Sequence, residues 1–138
     1  MIMLTLNIFS PEKKVLEGRR VSEVTLPGTE GQIQILPGHA AMVGALETGI
    51  LSYRLEGDAI ARGAISTGFF EVAGDQVSLT VETFEMSGEV DVERARRAQA
   101  SAEKMLQDAS LDEHQFKKYE LKLQRAMIRQ QAVATKLD

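Results

Sequence analysis

Three observations predict an α+β chain in two parts, an N-terminal antiparallel β-sandwich followed by a C-terminal antiparallel two-helix hairpin. All 11 glycines and all 3 prolines of the 138 residues lie at or before Gly88. Up to that point, short runs alternate apolar with polar residues and end at glycine-bearing turns, the signature of half-buried strands. After it, apolar residues recur three and four apart, as on one stripe of a packed helix. The charge changes at the same place, from 6 basic and 11 acidic side chains before it (net −5) to 10 basic and 9 acidic after it (net +1). The predicted domains are therefore 1–87 and 88–138.

The strands follow in order. Ile2, Leu4, Leu6 and Ile8 alternate with Met3, Thr5 and Asn7, and Ser10-Pro11-Glu12-Lys13 turns the chain. Lys14 to Glu17 is a short return that Gly18 ends. Arg20 to Leu26 is the next strand, with Val24 and Leu26 in phase and Val21 out of phase, a mismatch that a β-bulge reconciles. Two Pro-Gly pairs then flank the alternating Gln32–Leu36 strand. Pro27 and Pro37 pre-set φ for the first corner of a turn, and Gly28 and Gly38 accept φ > 0 at the second. Ala40 to Ala45 is a short apolar run. Leu51, Tyr53 and Leu55 alternate up to a corner at Glu56-Gly57-Asp58, which leads into Ala59–Thr67. Gly68 interrupts before Phe69–Ala73, and Gly74-Asp75 makes a hairpin into Val77–Val81. Strands this short and this regularly turned predict a sandwich or flattened barrel.

In the second part Asp91 is the expected N-cap of a first helix, with Glu93 adding favourable negative charge to its first turn. Val92, Ala95, Ala98, Ala102, Met105 and Ala109 form its stripe. Asp108 to Leu111 breaks the pattern, and Asp112 caps a second helix in which Phe116, Tyr119, Leu123, Ala126, Gln130, Val133 and Leu137 form a near-heptad seam. A hairpin of two such stripes, one mostly alanine, is marginal alone in water. It must lean on the β domain, on another protein, or trade between them, and the sequence leaves these open.

Composition narrows the function. A hydrophobic share of 43% supports a real core, and a net charge of −4 is wrong for a general nucleic-acid binder. The absence of cysteine removes thiol catalysis and zinc-thiolate sites. No apolar run approaches the ~20 residues of a membrane span, and the Met1–Leu6 start lacks the basic region and small-residue cleavage site of a signal peptide. His39 and His114, the two histidines, show no metal-ligand spacing, and no nucleophile motif flanks His39. Neither a phosphate-binding glycine loop nor a dinucleotide fingerprint is present. No catalytic residue and no metal site is therefore expected. One cluster carries possible chemistry: Arg125 and Arg129, four apart on one helical face, come alongside Arg94 in an antiparallel hairpin. Three guanidiniums near a helix N-terminus suit a phosphate anion. Ion pairing with Asp91, Glu93 or Glu103, or a solvated basic face, is the competing account.

The pattern Leu26-Pro27-Gly28-x-x-Gly31, then Ile35-Leu36-Pro37-Gly38-His39-Ala40, Leu46-x-x-Gly49 and Val90-Asp91-x-x-Arg94-Ala95, resembles the epsilon subunit of F-type ATP synthases, and the match runs over essentially the whole chain. The resemblance implies the same sandwich and hairpin. It implies a non-catalytic central-stalk subunit of the F1 sector, peripheral on the cytoplasmic face of the bacterial membrane. Its implied partners are the gamma subunit, the rotor c-ring and the catalytic beta and alpha subunits, and the isolated chain is expected to be a monomer. The rotor-ring contact falls on Glu30, Gly31, Gln32 and His39, with Gln32 standing where many relatives carry an acid. The hairpin is implied to inhibit ATP hydrolysis when extended, through a basic head-contacting face of Lys117, Lys118, Lys122, Arg125 and Arg129. Some bacterial members bind regulatory ATP on the folded hairpin. The matching residues are Glu85, Val90, Asp91, Arg94, Ala95, Arg125 and Arg129. Ser101 replaces an arginine that such binders carry, so no obligatory cofactor and only weak ATP binding are expected. Two further hypotheses are a free-standing ATP-sensing module built on the arginine cluster and an enzyme centred on His39.

Overall fold

A computed structural model describes residues 3–11 and 13–134. Ile2 of the expected first strand, Glu12 of the first turn and Leu137 of the second helical seam lie outside the described residues. Nine strands come first: β1 (Leu4–Ser10), β2 (Lys13–Gly28), β3 (Gly31–Ile35), β4 (Met42–Leu46), β5 (Gly49–Leu55), β6 (Ile60–Ile65), β7 (Gly68–Ala73), β8 (Gln76–Val81) and β9 (Phe84–Met86). A 3-10 turn at Ser87–Glu89 leads into α1 (Val92–Leu106) and α2 (Glu113–Ala134).

The strands pair in the order β1-β8-β7-β4-β2-β5-β6-β9, with β3 and β1 also on β2. The sixteen residues of β2 serve both layers of a sandwich. Its first half pairs with β1, and its second half lies between β3 and β5, Val24 facing Ile35 on one side and Tyr53 on the other. The opposite layer, β1-β8-β7-β4, touches the end of β2 at Gly28 and Leu46. All pairings are antiparallel except β1 with β8, which is parallel. No hairpin joins these two strands, so no turn dictates their relative direction. Leu4, Leu6, Ile8, Val24, Leu26, Leu51, Phe70 and Leu79 meet between the layers and are almost wholly buried.

Gly18 does not end a strand. It sits at φ 68 within β2, and its N–H donates to Asn7 Oδ1 at 2.8 Å. The pairing shifts there from Leu6–Arg19 to Ile8–Leu16, one extra residue on β2, so the glycine is a bulge that the strand passes through. Another bulge falls where the phase mismatch requires it. Val21 faces Leu55 and Glu23 faces Arg54, which turns both Val21 and Val24 inward to full burial.

The two Pro-Gly pairs behave differently. Leu36-Pro37-Gly38-His39 is the expected turn, with Gly38 at φ 86 and His39 N–H donating to Leu36 O at 3.1 Å. Pro27-Gly28 is no turn. Both residues end β2, and the corner falls at Thr29-Glu30, with Gly28 opposite Gly31 and the positive φ of 129 on Gly31. Gly28 is a glycine for space: a Cβ there would lie 2.8 Å from Gly31 O and 2.9 Å from Ile33 Cδ1.

Both expected helix caps form. Asp91 Oδ1 accepts from Arg94 N–H at 3.0 Å. Asp112 Oδ1 accepts from Gln115 N–H at 2.8 Å while Gln115 Oε1 accepts from Asp112 N–H at 3.1 Å, a reciprocal capping pair. The antiparallel helices bury Ala95, Ala102, Ala126 and Ala132. Ala98 is exposed, and Phe116 at 41% exposure lies beyond the covered part of the seam. Where α2 crosses the sandwich it covers the outer face of β6, so consecutive Ala64 and Ile65 are both buried and the alternation ends.

Candidate functional site

Two surfaces carry the residues singled out in the sequence, and the structure adds a third. The first is the pair of loops at the ends of β3. Glu30, Gly31 and Gln32 are exposed together at the β2–β3 corner. That corner is bound to β4, Thr29 N–H donating to Ala45 O at 3.1 Å and Glu47 N–H donating to Pro27 O at 3.0 Å. Gly49 makes room for Pro27, since a Cβ on it would lie 2.6 Å from Pro27 Cβ. His39 is not brought to this corner. It lies beyond the other end of β3, about 13 Å away by the rise of a five-residue strand. There its turn is tied to the β7–β8 corner, Gly38 N–H donating to Asp75 Oδ1 at 2.8 Å, and His39 Nδ1 lies 2.7 Å from Ala40 O.

The second surface is a cleft of about 990 Å³ between the β5-β6-β9 side of the sandwich and the hairpin. Of the expected phosphate-binding set, Glu85, Arg94, Arg125 and Arg129 line it, and Ser101 does too, whereas Val90, Asp91 and Ala95 do not. Asp91 is committed to the cap of α1, and Ala95 is wholly buried between the helices. Arg129 grips Glu85 with two bonds, Nε to Oε1 at 2.6 Å and Nη2 to Oε2 at 3.2 Å. One helical turn earlier Arg125 Nη2 lies 3.5 Å from Glu82 Oε2. The arginines of α2 do pair with carboxylates, but not with Asp91, Glu93 or Glu103. Their partners come from the sandwich, because α2 turns this face toward it. The Glu85 hydrogen bond raises the Arg129 pKa above the ordinary guanidinium value, burial opposes that shift, and the charges of Glu85 and Asp91 add to it. Two buried polar atoms of the cleft, Thr48 Oγ1 and Arg125 Nε, have no partner among the described residues.

The expected basic face is divided by this docking. Arg125 and Arg129 are held against the sandwich. Lys117 pairs with Glu113 at 3.5 Å, largely in solvent, and the ammonium groups of Lys118 and Lys122 sit 5.8 Å and 5.4 Å from the Tyr119 ring centroid.

The third surface was not foreseen. On the outer face of the β1-β8-β7-β4 layer, away from the hairpin, Val43 is 72% and Phe69 is 69% exposed, with Ala45 paired opposite Phe69. The signal was present in the sequence: Phe70 and Val72 alternate inward on β7, which forces Phe69 outward. Among the described residues no group of three or more His, Cys, Asp or Glu is placed to hold a metal ion, and no helix is long and apolar enough to cross a membrane.

This architecture is matched by two sequence families. The one described as ATP synthase, Delta/Epsilon chain, beta-sandwich domain covers residues 3–87, and the one described as ATP synthase, Delta/Epsilon chain, long alpha-helix domain covers residues 89–134. The ATP synthase epsilon chain of Trichlorobacter lovleyi is 42% identical over 128 residues, 93% of this chain and 91% of that one. The ATP synthase epsilon chain of Geotalea uraniireducens is 40% identical over 131 residues, 95% of this chain and 94% of that one. A chain in the structure of the Euglena gracilis mitochondrial ATP synthase, which comprises OSCP, F1 and the c-ring, superposes with a TM-score of 0.84 at 25% identity, covering 96% of this chain and 82% of that one.

Proposed function

The chain belongs to the ATP synthase delta/epsilon chain family, and from that membership we propose that it is the non-catalytic epsilon subunit of a bacterial central stalk. It couples ion-driven ring rotation to ATP synthesis in the F1 head and sits, within the complex, on the cytoplasmic face of the membrane. The observation that carries this reading is the division of the sandwich into two unlike outer faces. One is covered by the chain's own α2. The other leaves a phenylalanine and a valine exposed on neighbouring strands, as a partner-binding face does. The gamma subunit is the partner assigned to that apolar face. The c-ring is assigned to the Glu30-Gly31-Gln32 corner, which the backbone bonds to β4 make stiff enough to bear torque. His39, beyond the far end of β3, belongs to a separate surface.

The hairpin is assigned the regulatory role. Lys117, Lys118 and Lys122 are presented while it is docked, and Arg125 and Arg129 join them only when it leaves the sandwich and meets an acidic segment of a catalytic subunit. No cofactor is obligatory. ATP binds weakly, because the α2 arginines are already paired and Ser101 supplies no cation. A missing charge-assisted phosphate contact costs about 1.5–3 kcal/mol, roughly ten- to hundredfold in affinity. Calorimetric titration giving micromolar ATP affinity would overturn that part and favour the free-standing ATP sensor.

Co-purification is the test of the whole. Tagged chain expressed with the other F1 and ring subunits is expected to bring out gamma and the catalytic subunits, and a chain recovered alone would refute the assignment. Truncation after Gly88 is expected to leave a complex whose ATP hydrolysis rises. An unchanged rate would count against inhibition by the hairpin.

A further inference from the structure

We propose that the hairpin is latched to the sandwich by this chain's own carboxylates, Glu85 with Glu82 beside it, which occupy the α2 arginines and hold the helices down without any bound anion. The contact joins β9 to α2 across 44 residues of sequence, so it measures docking rather than local helix structure. Its geometry is the strong kind. Two parallel N–H···O bonds tie one guanidinium to one carboxylate, and the side chains of Arg129 and Glu85 are only 25% and 29% exposed. The Arg125–Glu82 pair is longer and its glutamate is 66% exposed, so it is the weaker rung.

The rest of the interface gives this pair its weight. The fully buried residues of the hairpin are alanines packed where its two helices meet, and toward the sandwich α2 presents the half-buried Tyr119, Ile128 and Arg129. A docked element that brings no fully buried large apolar side chain of its own sits at the low-stability end of a structure, where one bidentate ion pair decides the balance. Arg129 stays protonated throughout any usable pH range, because its pKa lies above an already high ordinary value. The latch therefore opens by competition for the arginines. An incoming polyanion, phosphate or acidic peptide, must displace Glu85 before it gains Arg129. Glu85 is then a rival of an anion for the arginines and not one of its ligands. The latch is a property of the chain itself, so its failure would leave the stalk assignment standing.

Amide hydrogen exchange on the full chain tests it. Glu85→Gln and Arg129→Gln are each expected to speed exchange of the α2 amides from Ala126 to Ala132 about tenfold, with the sandwich amides of Leu79 and Val81 unchanged. Glu82→Gln is expected to change it less than threefold. The charge swap, Glu85→Arg with Arg129→Glu, is expected to recover most of the lost protection, which a merely structural role for either side chain would not do. Unchanged α2 protection in both single variants would overturn the latch, since the remaining contacts of α2 with the sandwich would then hold the hairpin. If a single variant also loosens the sandwich, the swap decides, and its failure to restore α2 protection overturns the proposal.

Discussion

Asp75 Oδ1 accepts a hydrogen bond from Gly38 N–H at 2.8 Å, across 37 residues of sequence. The same residue stands at φ 64 in the two-residue β7–β8 corner beside Gly74 at φ 56, and its carbonyl accepts from Thr5 N–H at 2.9 Å. One aspartate thus ties the start of β1, the β7–β8 corner and the His39 turn together. Asp75→Gly keeps the left-handed backbone free of strain and removes only the side-chain bond, for a loss of about 1–2 kcal/mol. Asp75→Ala adds about 1 kcal/mol of left-handed strain. Urea denaturation is expected to rank the wild type above the glycine variant and the glycine variant above the alanine variant. Exchange of the Gly38 amide is expected to accelerate in both.

Gly68 makes the closest approach in the sandwich. A Cβ there would fall 2.1 Å from Thr80 O and 2.8 Å from Val81 Cα, both backbone atoms of the neighbouring strand. Backbone cannot rotate away as a side chain does, so β7 and β8 must separate. Gly68→Ala is expected to cost about 3 kcal/mol or more. Gly57→Ala, where nothing lies within 4 Å, is the matched control and is expected to stay within about 1 kcal/mol of wild type. Urea midpoints measure both, and equal midpoints would show that the strands yield freely.

The exposed pair on the outer face gives a separation of stability from assembly. Phe69→Ser and Val43→Ser remove apolar surface that the isolated chain leaves in water, so the thermal midpoint is expected to move by no more than a degree or two. Recovery of gamma in co-purification is expected to fall at least tenfold, because aromatic anchors at an interface centre each contribute about 2 kcal/mol or more. A loss of stability with unchanged recovery would place these side chains in the fold and not in the contact.

How much of this could be read in the sequence follows from which interactions are local. Most strands, both helix caps and the Gly74-Asp75 corner depend on neighbours within a few residues and were read correctly, whereas the break at Gly18 and the omission of β9 were not. The bulge near Val21 was legible because two buried phases cannot share one flat strand. Pro27-Gly28 was misread because the demand on Gly28 comes from Gly31 and Ile33 across the hairpin, a steric fact that composition cannot distinguish from a turn. The arginine cluster was legible as a cluster. Its partners were not, since Glu82 and Glu85 reach Arg125 and Arg129 only through the angle at which α2 crosses the sandwich. His39 was grouped with Glu30 by the family resemblance alone, and β3 runs between them.

The link between the helices carries a pH dependence whose direction is fixed by its hydrogen bonds. Asp108 Oδ1 accepts from Ser110 Oγ at 2.7 Å and from Ser110 N–H at 2.9 Å. These bonds, the hydroxyl's first, favour the carboxylate and lower the Asp108 pKa below its ordinary value. A group depressed in the folded state contributes stability above its unfolded pKa, near 3.9 for an aspartate, and loses that contribution as the pH falls through the lower folded value. The turn is therefore expected to be fully formed at pH 5 and to loosen only below the ordinary aspartate range. The Ser110 amide resonance followed from pH 6 to pH 2 reads this directly, and its midpoint is expected to fall below that of an unstructured peptide of the same sequence. In Asp108→Ala the Ser110 amide is expected to show no such titration. A wild-type midpoint at or above the peptide's would mean that the carboxylate does not organise the link.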